Sequence, residues 1–206
     1  MSDHTERVER SVRACYRTWS TTYFDAYYTD KAGYPPVHVD LVRDELAAAG
    51  ARTVLDAGCG PASLLRLLGG EDLDRYGFDL TPEMVEEARR VLAAEVPAMR
   101  LWQGSVLDPA SFRAPSGGPA GFDAAICIGV LPHIPAEADD DVLRNLVGAV
   151  RPGGLVLVEA RNELFGLFTL NRYSRAVFRD SLIGEAALAA QATPEERPAS
   201  TQHWPS

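Results

Sequence analysis

Apolar runs of strand length alternate with helical segments through the middle of the sequence, and this alternation restricts the fold more than any other feature. The five runs are "RTVLDAG", "RYGFDL", "MRLWQGSV", "FDAAICIGV" and "PGGLVLVEA". The segment "TPEMVEEARRVLAAE" predicts a helix, with Thr81 as its N-cap and Pro82 at its first position. Strands that alternate with helices form a parallel sheet with helices on both faces. The sequence therefore predicts an α/β fold with a mostly parallel sheet.

The first apolar run ends in an acid and a glycine-rich turn, "DAGCG". Gly58 and Gly60 permit positive φ and let a ligand approach the backbone, at the strand ends where open α/β sheets bind their ligands. Asp56 would repel a phosphate group, so it favours a ligand with a cationic or hydrogen-bond-donating group. Asp79 lies 23 residues later, at the end of the second strand, and suits two ribose hydroxyls.

The block "GSVLD" follows the third strand and adds a third part to this site. A backbone N–H and a side-chain oxygen at Ser105 and Val106 could read the edge of an adenine ring. Together with "VLDAGCGPA", "GFDLTPEMVEEAR", "FDAAICIGVLPHIP" and "LRNLVGAVRPGGLVLVEAR", this block resembles a class I S-adenosylmethionine-dependent methyltransferase of the small-molecule type, over about residues 40–161. A lone glycine loop is weak support, whereas five blocks in the family's order and spacing are strong. The resemblance implies a Rossmann-like sheet and S-adenosylmethionine as cofactor.

The resemblance also implies which residues hold this cofactor. In chain order they are Tyr23, Asp56, Gly58, Cys59, Gly60, Asp79, Leu80, Ser105, Val106 and Ile128. Residues 56–60 would lie under the methionine part, and residues 79–80 would hold the ribose. Residues 105–106 would flank the adenine, and Ile128 would lie beside the sulfonium.

The sequence departs from the family pattern at three places. Ala62 stands where the family often has a third glycine, which is a tolerable change. Ser105 stands where the family often has an acid, which weakens one expected contact to the adenine amine. The family's sheet normally ends with an antiparallel strand pair, and the sequence predicts no such pair after Ala190. We therefore expect a Rossmann-like sheet that lacks this pair, in a minimal or truncated member or in one whose sheet edge a partner completes.

Four regions follow from these patterns. Residues 1–50 form an aromatic-rich helical lid or substrate region, and residues 51–161 form the S-adenosylmethionine-binding core. Residues 162–190 are predicted to be helical. Residues 191–206 are polar and contain prolines, which is typical of a disordered tail.

Charge and cysteine content restrict the partners. The net charge of −9 argues against binding to a phosphate backbone, so we expect a small-molecule substrate and no nucleic acid. No apolar run approaches the roughly 20 residues that cross a bilayer, so we expect no membrane segment. The three cysteines show no metal-ligand spacing and no disulfide framework, which predicts no metal site and a reduced, cytoplasmic protein. A homodimer, or another partner at the sheet edge, remains open.

The residues beyond the fourth and fifth strands are candidates for the substrate side. His133 is the candidate general base, because an imidazole can take a proton near neutral pH; the alternative is a loop histidine that packs or caps. Glu159 and Arg161 either orient a substrate or form an ordinary ion pair. Tyr16 or Tyr23 would close over the methionine tail, although most aromatic side chains between residues 16 and 28 are expected to be buried.

Three functions and one competing cofactor are compatible with these patterns. The first function is methyl transfer from S-adenosylmethionine to an oxygen or nitrogen of a small molecule, such as a specialised metabolite. The second is a non-methylating, cyclase-like enzyme on the same fold, because fold does not fix function. The third is a non-catalytic module that binds the cofactor or a partner. A nicotinamide cofactor fits less well, because its third glycine would fall at Ser63 and Asp56 would face the pyrophosphate.

Overall fold

The computed structural model describes residues 3–29, 37–69, 72–92, 99–115 and 117–160. Residues Met1–Ala160 belong to one compact unit. The predictions for residues 162–190 and 191–206, and that of a missing strand pair, concern residues outside the described part. The described helices are α1 (Asp3–Arg17), α2 (Tyr23–Tyr28), α3 (Val37–Ala48), α4 (Ser63–Leu67), α5 (Pro82–Leu92) and α6 (Asp139–Ala149).

Five parallel strands form the sheet, in the order β3-β2-β1-β4-β5. They are β1 (Thr53–Ala57), β2 (Asp74–Asp79), β3 (Arg100–Gln103), β4 (Phe122–Cys127) and β5 (Val150–Val158). Short 3-10 helices at Pro109–Phe112, Leu131–His133 and Ala136–Ala138 lie in the loops after β3 and β4. The predicted α/β alternation and parallel sheet are therefore confirmed for the described residues. The strand order reverses between β1 and β4, which is the switch point where such sheets bind ligands.

The core lies on both faces of the sheet, as parallel strands require. Successive residues of β1 illustrate this: Val54 belongs to the cluster that includes α3 and α4, and Leu55 to the cluster that includes α6. Both side chains are fully buried. Asp56 follows in the same buried strand, so the sheet itself carries a carboxylate into the interior at its carboxyl edge.

Asp123 joins three strands at the opposite edge of the sheet. One carboxylate oxygen accepts hydrogen bonds from the backbone N–H groups of Arg52 and Thr53 at 2.9 and 3.0 Å. The other accepts from Arg151 Nε at 2.5 Å, at the start of β5. These donors hold the pKa of Asp123 down at about 2, with the guanidinium as the largest cause. These hydrogen bonds hold the amino ends of β1, β4 and β5 together.

The aromatic side chains of α1 and α2 form a cluster that is less buried than the sequence predicts. Trp19 is 44% exposed and Tyr27 is 45% exposed, and their rings stack with 6.4 Å between centroids. Tyr16, Tyr23 and Tyr28 are half-buried. The expectation that most of these aromatics are buried is therefore wrong, because they pack on one another at the surface and not under the sheet. No helix among the described residues has the length and apolar character needed to cross a bilayer.

Candidate functional site

A cleft opens at the carboxyl edge of the sheet, and all the predicted cofactor-binding residues, together with His133, line it. These residues are Tyr23, Asp56, Gly58, Cys59, Gly60, Asp79, Leu80, Ser105, Val106, Ile128 and His133. The cleft holds about 960 Å³ of space, including space open to solvent. The structure thus brings the predicted residues together, while their individual roles remain predictions.

The glycine loop passes close to two neighbouring segments. Gly58 has φ +85°, which L side chains rarely adopt, and a Cβ added there would collide with the Val130 side chain. The backbone N–H groups of Gly58 and Cys59 both donate to the Phe78 carbonyl at 2.9 Å, so the loop is fixed to the end of β2. Glycine is required at position 58 both by conformation and by space.

Ala62 and Cys59 are explained by the same loop. Ala62, the residue before α4, has φ +58° and ψ +31°, the left-handed region that the family's glycine would adopt without strain. An alanine there costs roughly 1–2 kcal/mol, so the substitution is tolerated at a price in stability. The Cys59 side chain is buried, and its sulfur would lie 3.0 Å from a Cβ added to Gly77. Burial raises the pKa of this thiol well above its usual value, so Cys59 is an inert packing residue on the cleft floor.

Two acids share the floor of the cleft. Asp56 is 3% exposed, and burial, followed by the nearby charge of Asp79, raises its pKa to about 8. Burial also raises the pKa of Asp79, although hydrogen bonds to it act in the opposite direction. A cation or a hydrogen-bond donor in the cleft would favour the ionised forms of both. The floor therefore suits a positively charged ligand.

Asp79 also organises the cleft from the end of β2. One carboxylate oxygen accepts from the Gly60 N–H at 2.9 Å, and the other accepts from the Thr81 N–H at 2.8 Å. Its own carbonyl accepts from the Gly104 N–H at 2.9 Å. The Thr81 side chain also hydrogen-bonds to this carboxylate, and the predicted ribose hydroxyls would use the acceptor positions that these donors leave open. Leu80 follows at the cleft wall and is half-buried.

The turn after β3 is held by neighbours on three sides. The Ser105 N–H donates to Ser111 Oγ at 3.0 Å, and the Leu107 N–H donates to Ser105 Oγ at 3.1 Å. The Val106 carbonyl accepts from Asn145 Nδ2 of α6 at 3.0 Å. The Ser105 N–H is therefore not available to a ligand. Of the two residues predicted to read the adenine edge, Val106 is the one whose backbone N–H can still donate to it.

Helix α1 crosses the cleft; the sequence predicts a helical lid or substrate region within residues 1–50, but of the α1 residues in the cleft it indicates only Tyr16. The residues that face the cleft recur at helical spacing: Thr5, Val8, Glu9, Val12 and Tyr16. Glu9 is 9% exposed, and its carboxylate accepts a 2.5 Å hydrogen bond from Ser105 Oγ. The spacing of these residues marks a helix face, but only the tertiary structure shows that the face covers this cleft.

His133 lies at the cleft rim and contacts this same helix. Its Nε2 is 2.7 Å from the Tyr16 hydroxyl oxygen, and the two rings meet edge to face at 5.3 Å. Burial raises the pKa of Tyr16, so its hydroxyl keeps its proton, and the tautomer of the imidazole decides which of the two groups donates. His133 is exposed and within reach of a molecule in the cleft. Both interpretations, general base and structural contact, remain compatible with this geometry.

The loop after β4 is fixed by Glu159, whereas Arg161, its predicted ion-pair partner, lies outside the described residues. Glu159 Oε2 accepts from the Gly129 N–H at 2.8 Å. The Glu159 N–H donates to the Cys127 carbonyl at 3.0 Å. Ile128, between these two contacts, is half-buried at the cleft wall.

The sequence is similar to known methyltransferases. Residues 55–156 match the family profile described as "Methyltransferase domain". A ubiquinone biosynthesis O-methyltransferase from Xanthomonas axonopodis pv. citri is 31% identical over 167 residues, which cover 81% of this chain and 65% of that protein. Another from Xanthomonas campestris pv. campestris is 30% identical over 66% of this chain and 53% of that protein. The chain thus spans about half to two thirds of the length of these relatives.

A solved structure supports the same similarity to methyltransferases. A magnesium protoporphyrin IX methyltransferase from Synechocystis PCC 6803 with bound SAH (S-adenosylhomocysteine) has a TM-score of 0.57 and 26% identity. The comparison covers 87% of this chain and 84% of that chain. The fold and the cleft define a Rossmann-like α/β domain with a ligand site at its strand ends. The chain belongs to the class I S-adenosylmethionine-dependent methyltransferase family.

Proposed function

We propose that this chain binds S-adenosylmethionine in the cleft and transfers its methyl group to an oxygen or nitrogen of a small molecule. The observation that carries the proposal is the pair of acids on the cleft floor, the buried Asp56 and the half-buried Asp79, beside a glycine loop that lines the same cleft. The two acids fit the cofactor, because they attract its ammonium and sulfonium cations and can accept hydrogen bonds from its two ribose hydroxyls. The cofactor supplies an electrophilic methyl group, so the chain itself needs little covalent chemistry.

The chain's residues would bind and orient the reacting groups. Asp56 and the loop 58–60 would hold the methionine part, and Asp79 would accept from the ribose. Tyr23 and Ile128 would cover the reacting end and exclude water. Most of the rate would then come from holding the acceptor atom in line at about 3–3.5 Å from the methyl carbon.

His133 would take the proton when the acceptor arrives as a hydroxyl. Its Nε2 already lies 2.7 Å from a hydroxyl oxygen, that of Tyr16. An acceptor hydroxyl in place of the Tyr16 hydroxyl would find the same nitrogen at hydrogen-bond distance. Oxygen acceptors are the first to test, because the relatives are named O-methyltransferases.

Calorimetric titration with S-adenosylhomocysteine tests the cofactor site, with NADH as the competing ligand. Asp79→Asn should weaken binding about 10–100-fold, because a charge-assisted hydrogen bond contributes about 1.5–3 kcal/mol. Asp74→Asn is the matched control, since it makes the same change at the exposed opposite end of β2 and should leave binding unaltered. Binding of NADH, or no binding of S-adenosylhomocysteine, would refute the proposal.

Product mass then separates methyl transfer from the cyclase-like alternative. Methyl transfer adds one methylene to the acceptor and releases S-adenosylhomocysteine, whereas a cyclase-like product lacks this increment. For the histidine, we expect His133→Ala to lower turnover most above the ordinary imidazole pKa of about 6.5, where a neutral ring can take the proton of a hydroxyl acceptor, and least below it, where an imidazole is already protonated. Turnover that is unchanged across the pH range would leave His133 as a structural contact.

Three further parts of the proposal concern nucleic-acid binding, protein partners and cellular location. The net charge of −9 supports the absence of a nucleic-acid partner. Among the described strands β5 has a single neighbour, β4, which supports a homodimer or another partner at this edge. The cysteines at positions 15, 59 and 127 are free thiols, which supports a cytoplasmic location. Light scattering after size exclusion tests the partner at the edge, and a clean monomer would contradict a homodimer.

A further inference from the structure

A buried carboxylate on α1 faces the turn where the family usually carries an acid. Glu9 is 9% exposed, and within the described part of the chain its side chain has one hydrogen-bond partner, the Ser105 hydroxyl at 2.5 Å. A carboxylate has about four acceptor positions, and leaving them unfilled in a buried place costs free energy. Ser105 fills one of them. The remaining positions lie beside a cleft that both residues line, so a ligand donor would fill them.

The neighbouring backbone supplies the complementary group. Val106 lines the cleft, and its N–H has no hydrogen-bond partner among the residues that the structure describes. The adjacent Ser105 N–H is bound by Ser111 Oγ, so it offers nothing to a ligand. The site therefore presents one acceptor, the Glu9 carboxylate, near one donor, the Val106 N–H.

This pair matches one edge of adenine, whose exocyclic amine donates and whose ring nitrogen N1 accepts. We propose that Glu9, carried by α1 and held by Ser105, recognises the exocyclic amine of the cofactor's adenine, with the Val106 N–H donating to N1. The inference rests on the proposed function. It assigns the acid that the turn after β3 lacks to a helix about 96 residues earlier in the chain.

A deaminated ligand gives a test that a merely structural contact cannot pass. In S-inosylhomocysteine the ring nitrogen donates and the exocyclic oxygen accepts, which reverses both hydrogen bonds. A site that places a buried carboxylate against that oxygen should reject it strongly. We expect wild-type protein to bind S-adenosylhomocysteine at least about 100-fold more tightly than S-inosylhomocysteine.

Glu9→Gln should reduce this preference, because its amide offers a donor to the inosine oxygen. We expect S-adenosylhomocysteine to bind about 10-fold more weakly and the preference to fall to about 10-fold or less. Glu6→Gln is the matched control: it makes the same change on the exposed face of α1 and should leave both affinities unaltered. Ser105→Ala, which does not alter α1, should reduce the preference by a smaller factor, since the carboxylate loses the hydroxyl that orients it.

The outcomes separate the inference from the function on which it rests. If wild-type protein binds neither ligand, the proposed cofactor site is wrong. If it binds S-adenosylhomocysteine but Glu9→Gln and Ser105→Ala keep the wild-type preference, the cofactor site stands and the role of Glu9 is refuted. Equal weakening of both ligands in Glu9→Gln would also refute it, because that result describes a residue that only holds α1 in place.

Discussion

Replacing Asp56 by asparagine should stabilise the ligand-free protein, and by an amount that grows with pH. The folded pKa of Asp56 is about 8, against an ordinary value of 3.8, so between these two values the folded state binds a proton that the unfolded state has lost. Stability from this group is therefore fully present below pH 3.8 and decreases until pH 8. Each pH unit in this window corresponds to about 1.4 kcal/mol. Asparagine is neutral at every pH and does not contribute this decrease.

Urea unfolding at pH 5.5, 6.5 and 7.5 measures the effect for the wild type and for Asp56→Asn. Over these two pH units the difference in unfolding free energy should grow by about 2–3 kcal/mol in favour of the variant. Asp74→Asn serves as the control, because Asp74 is exposed on the next strand and its curve should run parallel to the wild type. If Asp56→Asn also runs parallel to the wild type, Asp56 is ionised in the folded protein and the reasoning from its burial is refuted.

Three more outcomes follow from the same geometry. Binding of S-adenosylhomocysteine near pH 7 should release up to one proton from the wild type and less from Asp56→Asn, because the ligand ammonium favours the ionised carboxylate. Calorimetry in buffers of different ionisation enthalpy measures this release, and equal release from the two proteins would contradict the expectation. Gly58→Ala should destabilise the protein by about 1–3 kcal/mol more than Gly60→Ala does. Both positions have positive φ, but only at Gly58 does the new Cβ collide with a neighbour. Equal urea midpoints for the two variants would refute this. Asp123→Asn should lower the unfolding free energy by about 1–3 kcal/mol at pH 7. Because the pKa of Asp123 is about 2, this loss of stability should shrink as pH falls from about 4 towards 2. A loss of stability that is constant with pH would exclude the ion pair as its cause.

The parallel sheet and the floor of the cleft could be predicted from the sequence because their determinants are local. Alternating apolar and helical runs define the strands, and the carboxyl ends of parallel strands meet at one edge. Asp56 and Asp79 are therefore neighbours by topology, and the structure places both on the cleft floor. The comparisons confirm the family and the fold on independent grounds. The roles of the individual residues remain predictions.

The sequence predicts a helical lid within residues 1–50, but the side chains that form the roof of the cleft could not be predicted, because no local pattern states where a helix outside the alternating units will pack. The period of Thr5, Val8 and Val12 marks a helix face, and Glu9 lies beside it, but the burial of that face depends on the sheet. The aromatic residues failed for the same reason. Trp19 and Tyr27 are residue types that can form a core, yet their rings stack on each other at the surface. Composition predicts which residues can be buried, and the tertiary structure decides which of them are.

The charge of the whole lining gives a final reason to prefer a cationic cofactor over a pyrophosphate. Three carboxyl groups, those of Glu9, Asp56 and Asp79, line the cleft, and its described lining includes no lysine or arginine. The charge of Asp79 raises the cost of ionising the buried Asp56, so this pair places an electrostatic penalty on the cleft. A ligand with two phosphate charges would add to that penalty, whereas an ammonium and a sulfonium would relieve it. The same acids that lower the stability of the ligand-free fold therefore favour S-adenosylmethionine over a nicotinamide dinucleotide.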